Sequence, residues 1–274
     1  MNSATVSSLY IYPIKSCRGI AVDSIAVLNT GLANDRRWMV VNGHGRFVTQ
    51  REIARMALIE PVINGSGLVI RAPGMPELAV SGASVTHGLT VTVWKDTCRA
   101  FDEGDQAAAW FSEFLGATVR LVRFDDSQSR LSSHDWTGEL DAPNQFSDGF
   151  PILAISEASL TDLNSRMVNP LPMNRFRPNL VLDGLAAYEE DRLHELSSAE
   201  LSLRVVKPCT RCKITTIDQM TGQIPGTEPF ATLMKYRRNP ALRGVTFGQN
   251  MIIRTGAGSR LHVGQVLKVT YQPS

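Results

Sequence analysis

The chain has 274 residues, 43% hydrophobic and 20% charged, with 28 basic against 26 acidic residues and a net charge of +2. That composition excludes disorder, and at about 150 residues per domain the length suits one to two units with a sizeable core. Neither a global electrostatic grip on nucleic acid or anionic membrane nor a disulfide framework is indicated, since the charge is nearly balanced and there are four cysteines.

In chain order, the first hundred residues read as short strands. Leu9 to Pro13, Ile20 to Leu28 and Arg37 to Val41 are rich in Val, Ile, Tyr and Trp, with turn residues between them. Asn42-Gly43-His44-Gly45 before Phe47-Val48 predicts a hairpin, because Asn-Gly tolerates the positive φ of a tight turn. Further strands are predicted at Leu68–Arg71, Glu77–Val80 and Leu89–Lys95. The first helix is expected over Glu103 to Leu115: Ala107, Trp110, Phe111 and Phe114 fall at i, i+3, i+4, i+7, and Gly116 can cap it. A strand Thr118–Phe124 follows. Asp125 to Gly149 is polar and aperiodic, as a functional lid or a disordered segment would be, and its part from Asp125 to Asn144 is expected to be a lid or partner-docking surface.

A second helix is expected from Glu157 to Met167. Strands then recur at Asn179–Leu182, Leu201–Val206, Lys213–Ile217, Val245–Ile253 and Val263–Tyr271. The reading is mostly β with a few helices (α+β), in two barrel-like units divided near residues 118–130. The first eight residues lack a secretory pattern, and no apolar run reaches the ~18 residues of a membrane span, so a soluble, cytoplasmic protein is expected.

Three segments could carry chemistry. Lys207-Pro208-Cys209-Thr210-Arg211-Cys212 has a C-x-x-C spacing. The β-branched residues after it weigh against a thioredoxin-type helix, and Cys17 and Cys98 are too isolated to complete a zinc site. Two readings stay open: a thiolate holding a soft transition metal beside Arg211, or two small buried hydrophobes. Lys15 and Ser16, in the turn after Tyr12-Pro13-Ile14, could hold a phosphate, with Asp35-Arg36-Arg37 and Thr49-Gln50-Arg51 converging on it; solvated strand-end charges are the plainer account. Arg177 and Asn179 flank Pro178 at a strand mouth and could contact a polar heterocycle, or simply cap the strand. There is no P-loop and no strand-linked G-x-G-x-x-G.

Together, Tyr12-Pro13-Ile14-Lys15-Ser16, Asp35-Arg36, Phe146-Ser147-Asp148-Gly149, Phe176-Arg177-Pro178-Asn179, Lys207 to Cys212 and Phe247-Gly248-Gln249-Asn250 stand in the order found in MOSC-domain molybdenum proteins. The chain resembles the bacterial YcbX-type proteins and the mitochondrial amidoxime-reducing components over nearly its whole length. The resemblance implies a MOSC N-terminal β-barrel region over 1–120 and a MOSC domain over 121–274, with a molybdenum cofactor, a pterin dithiolene with a phosphate tail, bound between them. It implies Cys212 as the molybdenum ligand on which catalysis turns, Lys15, Ser16 and Arg36 as phosphate-tail binders, and Ser147, Asp148, Arg177, Asn179, Thr210 and Arg211 along the pterin.

The activity so implied is reduction of small N-hydroxylated compounds (amidoximes, hydroxamic acids, N-hydroxylated nucleobases), a detoxifying chemistry. No iron–sulfur cluster signature is present, so electrons are expected from a separate flavoprotein or ferredoxin-type donor. The alternative is a non-catalytic cofactor carrier or sulfur-transfer module. A dithiol redox protein using Cys209 and Cys212 is a third possibility.

Overall fold

The computed structural model describes residues 2–82 and 88–273. Strand occupies 41% and helix 18%, so the mostly-β expectation holds. Seven strands close into a barrel. Around it run Ile152–Ser156, Leu180–Asp183, Ser3–Ile11, Val266–Tyr271, Leu193–Ser197, Ser202–Thr210 and Gly244–Thr255. The last pairs back onto the first through Ile152↔Met251 and Ala154↔Gln249. Ile152–Ser156 and Leu180–Asp183 are parallel, and the helix Glu157–Ser165 lies on the crossover between them. Ser156 starts that helix by accepting the Ser159 N–H at 3.1 Å.

Side-chain alternation fills the barrel. In Ser3–Ile11, Ala4 and Val6 point inward, and then Leu9 and Ile11 do. A register shift between Val6 and Ser8 explains the change from even to odd positions, because one extra residue flips the pleat. This strand is drawn from the first half of the chain, so the two halves share a sheet. Ile20 to Leu28 breaks at Asp23 into Ile20–Val22, paired with Ser3–Ile11, and Ser24–Leu28, paired with Arg260–His262.

The first half also builds two antiparallel sheets, one in the order Trp38–Asn42, Val119–Phe124, Asp96–Asp102, Gly88–Val93 and one in the order Glu60–Asn64, Gly67–Arg71, Leu78–Val80. The hairpin forms, with Gly45 N–H donating to the Asn42 carbonyl at 2.9 Å and Val48 to Val40 at 2.8 Å, but the positive φ, 72°, falls at Gly45 and not at Asn42-Gly43. Helix Asp105–Leu115 buries Ala107, Trp110, Phe111 and Phe114, and Gly116 ends it at φ 65°.

Two expectations fail. Lys213–Ile217 is not a strand: Lys213–Thr216 is a 3-10 turn. The Thr215 and Thr216 hydroxyls bond back to the carbonyls three residues earlier, at 3.0 and 2.7 Å, a local alternative to sheet pairing. Asp125 to Gly149 is not a disordered segment either, because Arg130, Asn144 and Phe146 within it are buried. Among the described residues no helix is long and apolar enough to cross a membrane.

Candidate functional site

Where the strand Ser3–Ile11 leaves the barrel, Tyr12 is buried and its N–H donates to Asp35 at 2.8 Å. Lys15 N–H is fixed by the Trp38 carbonyl at 2.8 Å, and Arg36 N–H by the Tyr12 carbonyl at 2.8 Å. Ser16 and Arg36 sit in the left-handed region, at φ 65° and 49°. So does Arg177, at φ 56°. Such conformations cost non-glycine residues about 1–3 kcal/mol each and persist where the surroundings impose them. Here all three aim cationic or hydroxyl side chains into one cleft.

The Tyr12 ring carries two of these cations: the Arg36 and Arg177 guanidinium carbons each lie 4.2 Å from its centroid. The Tyr12 hydroxyl donates to the Pro178 carbonyl at 3.0 Å. Gly19 lies so close to the ring that a Cβ there would meet Tyr12 Cε1 at 2.5 Å. Arg36 also donates to Asp35 at 2.5 Å and to Asn179 Oδ1 at 2.9 Å. Burial pushes the Asp35 carboxyl up from its usual range despite Arg36. Desolvation, with Arg36 nearby, pulls Arg177 down to about 10.

Lys15 is buried and donates to the Phe146 carbonyl at 2.7 Å and to Asp148. Desolvation lowers its ammonium from the usual lysine range, and Arg130 and Arg36 push the same way against Asp148. Crowding by the protein works against the charged form of Asp148, yet the Lys15 ammonium and Trp94 Nε1–H hold that carboxyl well below the usual range. Arg130 builds this corner from behind. It donates to Asp96 and to the Gln145 and Ser147 carbonyls, each at 2.8 Å, which sets the segment presenting Ser147 and Asp148.

The thiols come from the end of Ser202–Thr210. Cys209 and Cys212 are both half-buried. Arg211 donates to Cys209 Sγ at 2.9 Å and to the Phe176 carbonyl at 2.6 Å, while its Nε is buried with no partner. Arg175 anchors the turn after Cys212, donating to the Thr216 carbonyl and to Asp218 at 2.9 Å each.

All ten residues expected at the site line one cleft of about 140 Å³: Lys15, Ser16 and Arg36 from one half, and Ser147, Asp148, Arg177, Asn179, Thr210, Arg211 and Cys212 from the other. Asn179 serves chiefly as a brace, since its amide is committed to Tyr10, Leu153 and Arg36. Arg51 also lines the cleft, giving five cations against the single carboxylate of Asp148. Such a wall selects an anion. Cys209, Thr210, Arg211 and Cys212 are shared with a wider vestibule of about 720 Å³, whose walls include Trp94, Trp136, Phe150 and Lys207.

The residues reasoning from sequence missed are mostly supports: Tyr12, Arg130, Arg175 and a buried amide pair. Gln50 and Gln219 exchange hydrogen bonds at 3.0 Å, and Gln50 also donates to the Ser16 carbonyl at 2.7 Å, tying the two halves together beneath the cleft. A left-handed residue leaves no mark in composition, and Gln50 and Gln219 are 169 positions apart.

Among the described residues no three His, Cys, Asp or Glu side chains cluster as a metal cage. A metal held by Cys212 must therefore bring most of its donors with it, as one chelated by an anionic organic ligand would.

Comparison with known proteins agrees with this arrangement. Residues 3–118 match the MOSC N-terminal beta barrel domain and residues 141–268 the MOSC domain. The chain is 38% identical to mitochondrial amidoxime reducing component 2 of Bos taurus, across 85% of this chain and 72% of that protein. It is 36% identical to the Homo sapiens protein of the same name over the same shares. To mitochondrial amidoxime-reducing component 1 of Homo sapiens it is 34% identical, across 91% of this chain and 78% of that one. On these matches the chain belongs to the MOSC-domain family that includes the amidoxime reducing components.

Proposed function

We propose that this protein is a molybdenum cofactor-dependent reductase of small N-hydroxylated compounds, supplied with electrons by a separate protein. The observation that carries the reading is the position of Cys212, on the wall common to a cationic cleft and an open vestibule, with no cluster of three or more metal-ligating side chains among the described residues. The names of the relatives point the same way.

The donor set fits such a cofactor. Lys15, Ser16, Arg36 and Arg177 would hold its anionic end, the guanidinium groups as bidentate donors and the ammonium as a point charge. The unpartnered Nε of Arg211 supplies a further donor at the thiol end, and Cys212 would hold the metal. When bound, the cofactor would supply the two-electron redox chemistry that N–O cleavage needs.

The chain's own part is to bind, orient and screen. Trp136 and Phe150 offer apolar ring faces in the vestibule, and Lys207 lies 4.7 Å over Trp136. A flat substrate enters against them with its N–O group toward Cys212. Two electrons and two protons break the N–O bond, giving the N–H product and water.

The test is protein made in a cofactor-competent host, assayed for molybdenum by mass spectrometry and for benzamidoxime reduction by reduced methyl viologen. Stoichiometric metal with turnover, both lost in Cys212→Ala, is the expected result. Bound metal without turnover would make the chain a carrier instead.

A further inference from the structure

The chain's near-neutral charge conceals a polar division. No Asp or Glu occurs after Glu228, whereas seven Lys and Arg do. Four of those seven crowd into the helix Phe230–Tyr236 and the hairpin after it: Lys235, Arg237, Arg238 and Arg243. Arg237 is paired with Asp191. Lys235, Arg238 and Arg243 are exposed and have no acidic partner among the described residues.

This hairpin is joined to the thiol loop through main chain. Arg238 and Asn239 pair with Val245 and Gly244. On the other side, Arg211 N–H donates to the Val245 carbonyl at 2.8 Å and Thr210 pairs with Thr246. Two strand spacings, about 10 Å, therefore separate the basic edge from the backbone beside Cys212.

A second connection reaches the same surface. Phe176, on the cleft wall, packs on Phe247 at 4.4 Å, Phe247 on Tyr188 at 6.3 Å, and Tyr188 on Tyr236 at 5.9 Å, with the tyrosine hydroxyls 2.6 Å apart. Tyr236 lies between Lys235 and Arg237 in sequence. None of these four cations lines the cleft or the vestibule.

We infer that the surface around Lys235, Arg238 and Arg243 is the docking site for an acidic one-electron carrier protein. The inference rests on the reductase reading above and gives that reaction its electron entrance, apart from the substrate's. Each turnover takes one electron from each of two reduced carriers and two solvent protons (H⁺), and releases the N–H product, one water and two oxidised carriers. Charge complementarity names the partner: a carrier whose prosthetic group is ringed by carboxylates is drawn to this patch, whose strand edge lies two strand spacings from the backbone beside Cys212.

The experiment uses holoprotein and a plant-type [2Fe–2S] ferredoxin kept reduced by NADPH and its reductase, with benzamidoxime as acceptor. Reduced methyl viologen runs in parallel. In the triple variant Lys235→Glu, Arg238→Glu, Arg243→Glu, kcat/KM for ferredoxin should fall roughly 10-fold or more at low salt, and the difference should shrink at about 0.5 M salt. The viologen rate should not change, which also shows that the variant folds.

A wild-type protein active with viologen that takes no electrons from ferredoxin overturns the docking site. So does a ferredoxin rate indifferent to salt and to the three charges. If the variant only aggregates, or the patch only binds anionic phosphatidylserine vesicles, these charges guard a strand edge or meet a membrane, and the inference is likewise overturned. Loss of the viologen rate in the wild type sinks the reductase reading itself.

Discussion

Tyr12→Phe and Tyr12→Leu, made side by side, test whether the ring holds the cleft's cations. The Phe variant removes the 3.0 Å hydrogen bond to the Pro178 carbonyl and leaves that acceptor buried, which costs about 1–2 kcal/mol. The Leu variant also removes the face on which Arg36 and Arg177 rest, each at 4.2 Å. Desolvated cation–π contacts contribute about 1–2 kcal/mol apiece, and the lost ring volume costs about 1 kcal/mol more. Leu should therefore be about 3–5 kcal/mol less stable than Phe, read by urea unfolding of apoprotein at equal m-values. In an Arg177→Met background that gap should narrow by one contact, about 1–2 kcal/mol. A gap that stays the same with Arg177 gone would mean that Tyr12 merely fills space.

Arg177→Met alone should leave the unfolding midpoint at or above the wild-type value, because desolvation already disfavours that guanidinium, while phosphate affinity by calorimetry falls about tenfold or more. Arg175→Met should cost about 2–4 kcal/mol by breaking its pair with Asp218; molybdenum occupancy should fall with phosphate binding preserved, since Arg175 holds only the turn beyond Cys212. The Asp148 carboxyl is held low in the folded state, so the stability it contributes is complete above about pH 4 and is lost as the pH falls below that. In Lys15→Met the slope of stability between about pH 4 and 2 should flatten, as denaturation midpoints against pH would show. Cys209→Ser should keep most molybdenum and most activity, whereas Cys212→Ser should lose both; equal damage would favour a dithiol mechanism.

Where contacts were local or periodic, the sequence was legible. Trp110, Phe111 and Phe114 with Gly116 defined their helix to within two residues at its start, the displacement falling where Gly104 adopts φ 94°. The cleft's lining was readable because its residues sit in short ordered motifs. Lys213–Ile217 misled because Ile-Thr-Thr-Ile has strand composition, while the outcome was decided by threonine hydroxyls turning back and by Arg175, 40 residues upstream, which also reaches toward the Thr215 carbonyl. Asp125 to Gly149 misled for a related reason. Polar composition suggested solvent, but Arg130 spends its donors on carbonyls of that same segment. A buried polar network and an exposed loop use the same letters.

The shared barrel has a consequence for synthesis. Ser3–Ile11 is hydrogen-bonded between Leu180–Asp183 and Val266–Tyr271, so this strand leaves the ribosome well before either of its partners. Until they emerge it carries unsatisfied edges and an apolar face, and non-local pairings of this span form slowly. The basic corner at Lys15 is tethered to that waiting strand. Nascent chains should therefore lack a competent ligand pocket until Val266–Tyr271 has emerged, and any ligand of the cleft would have to enter after that point.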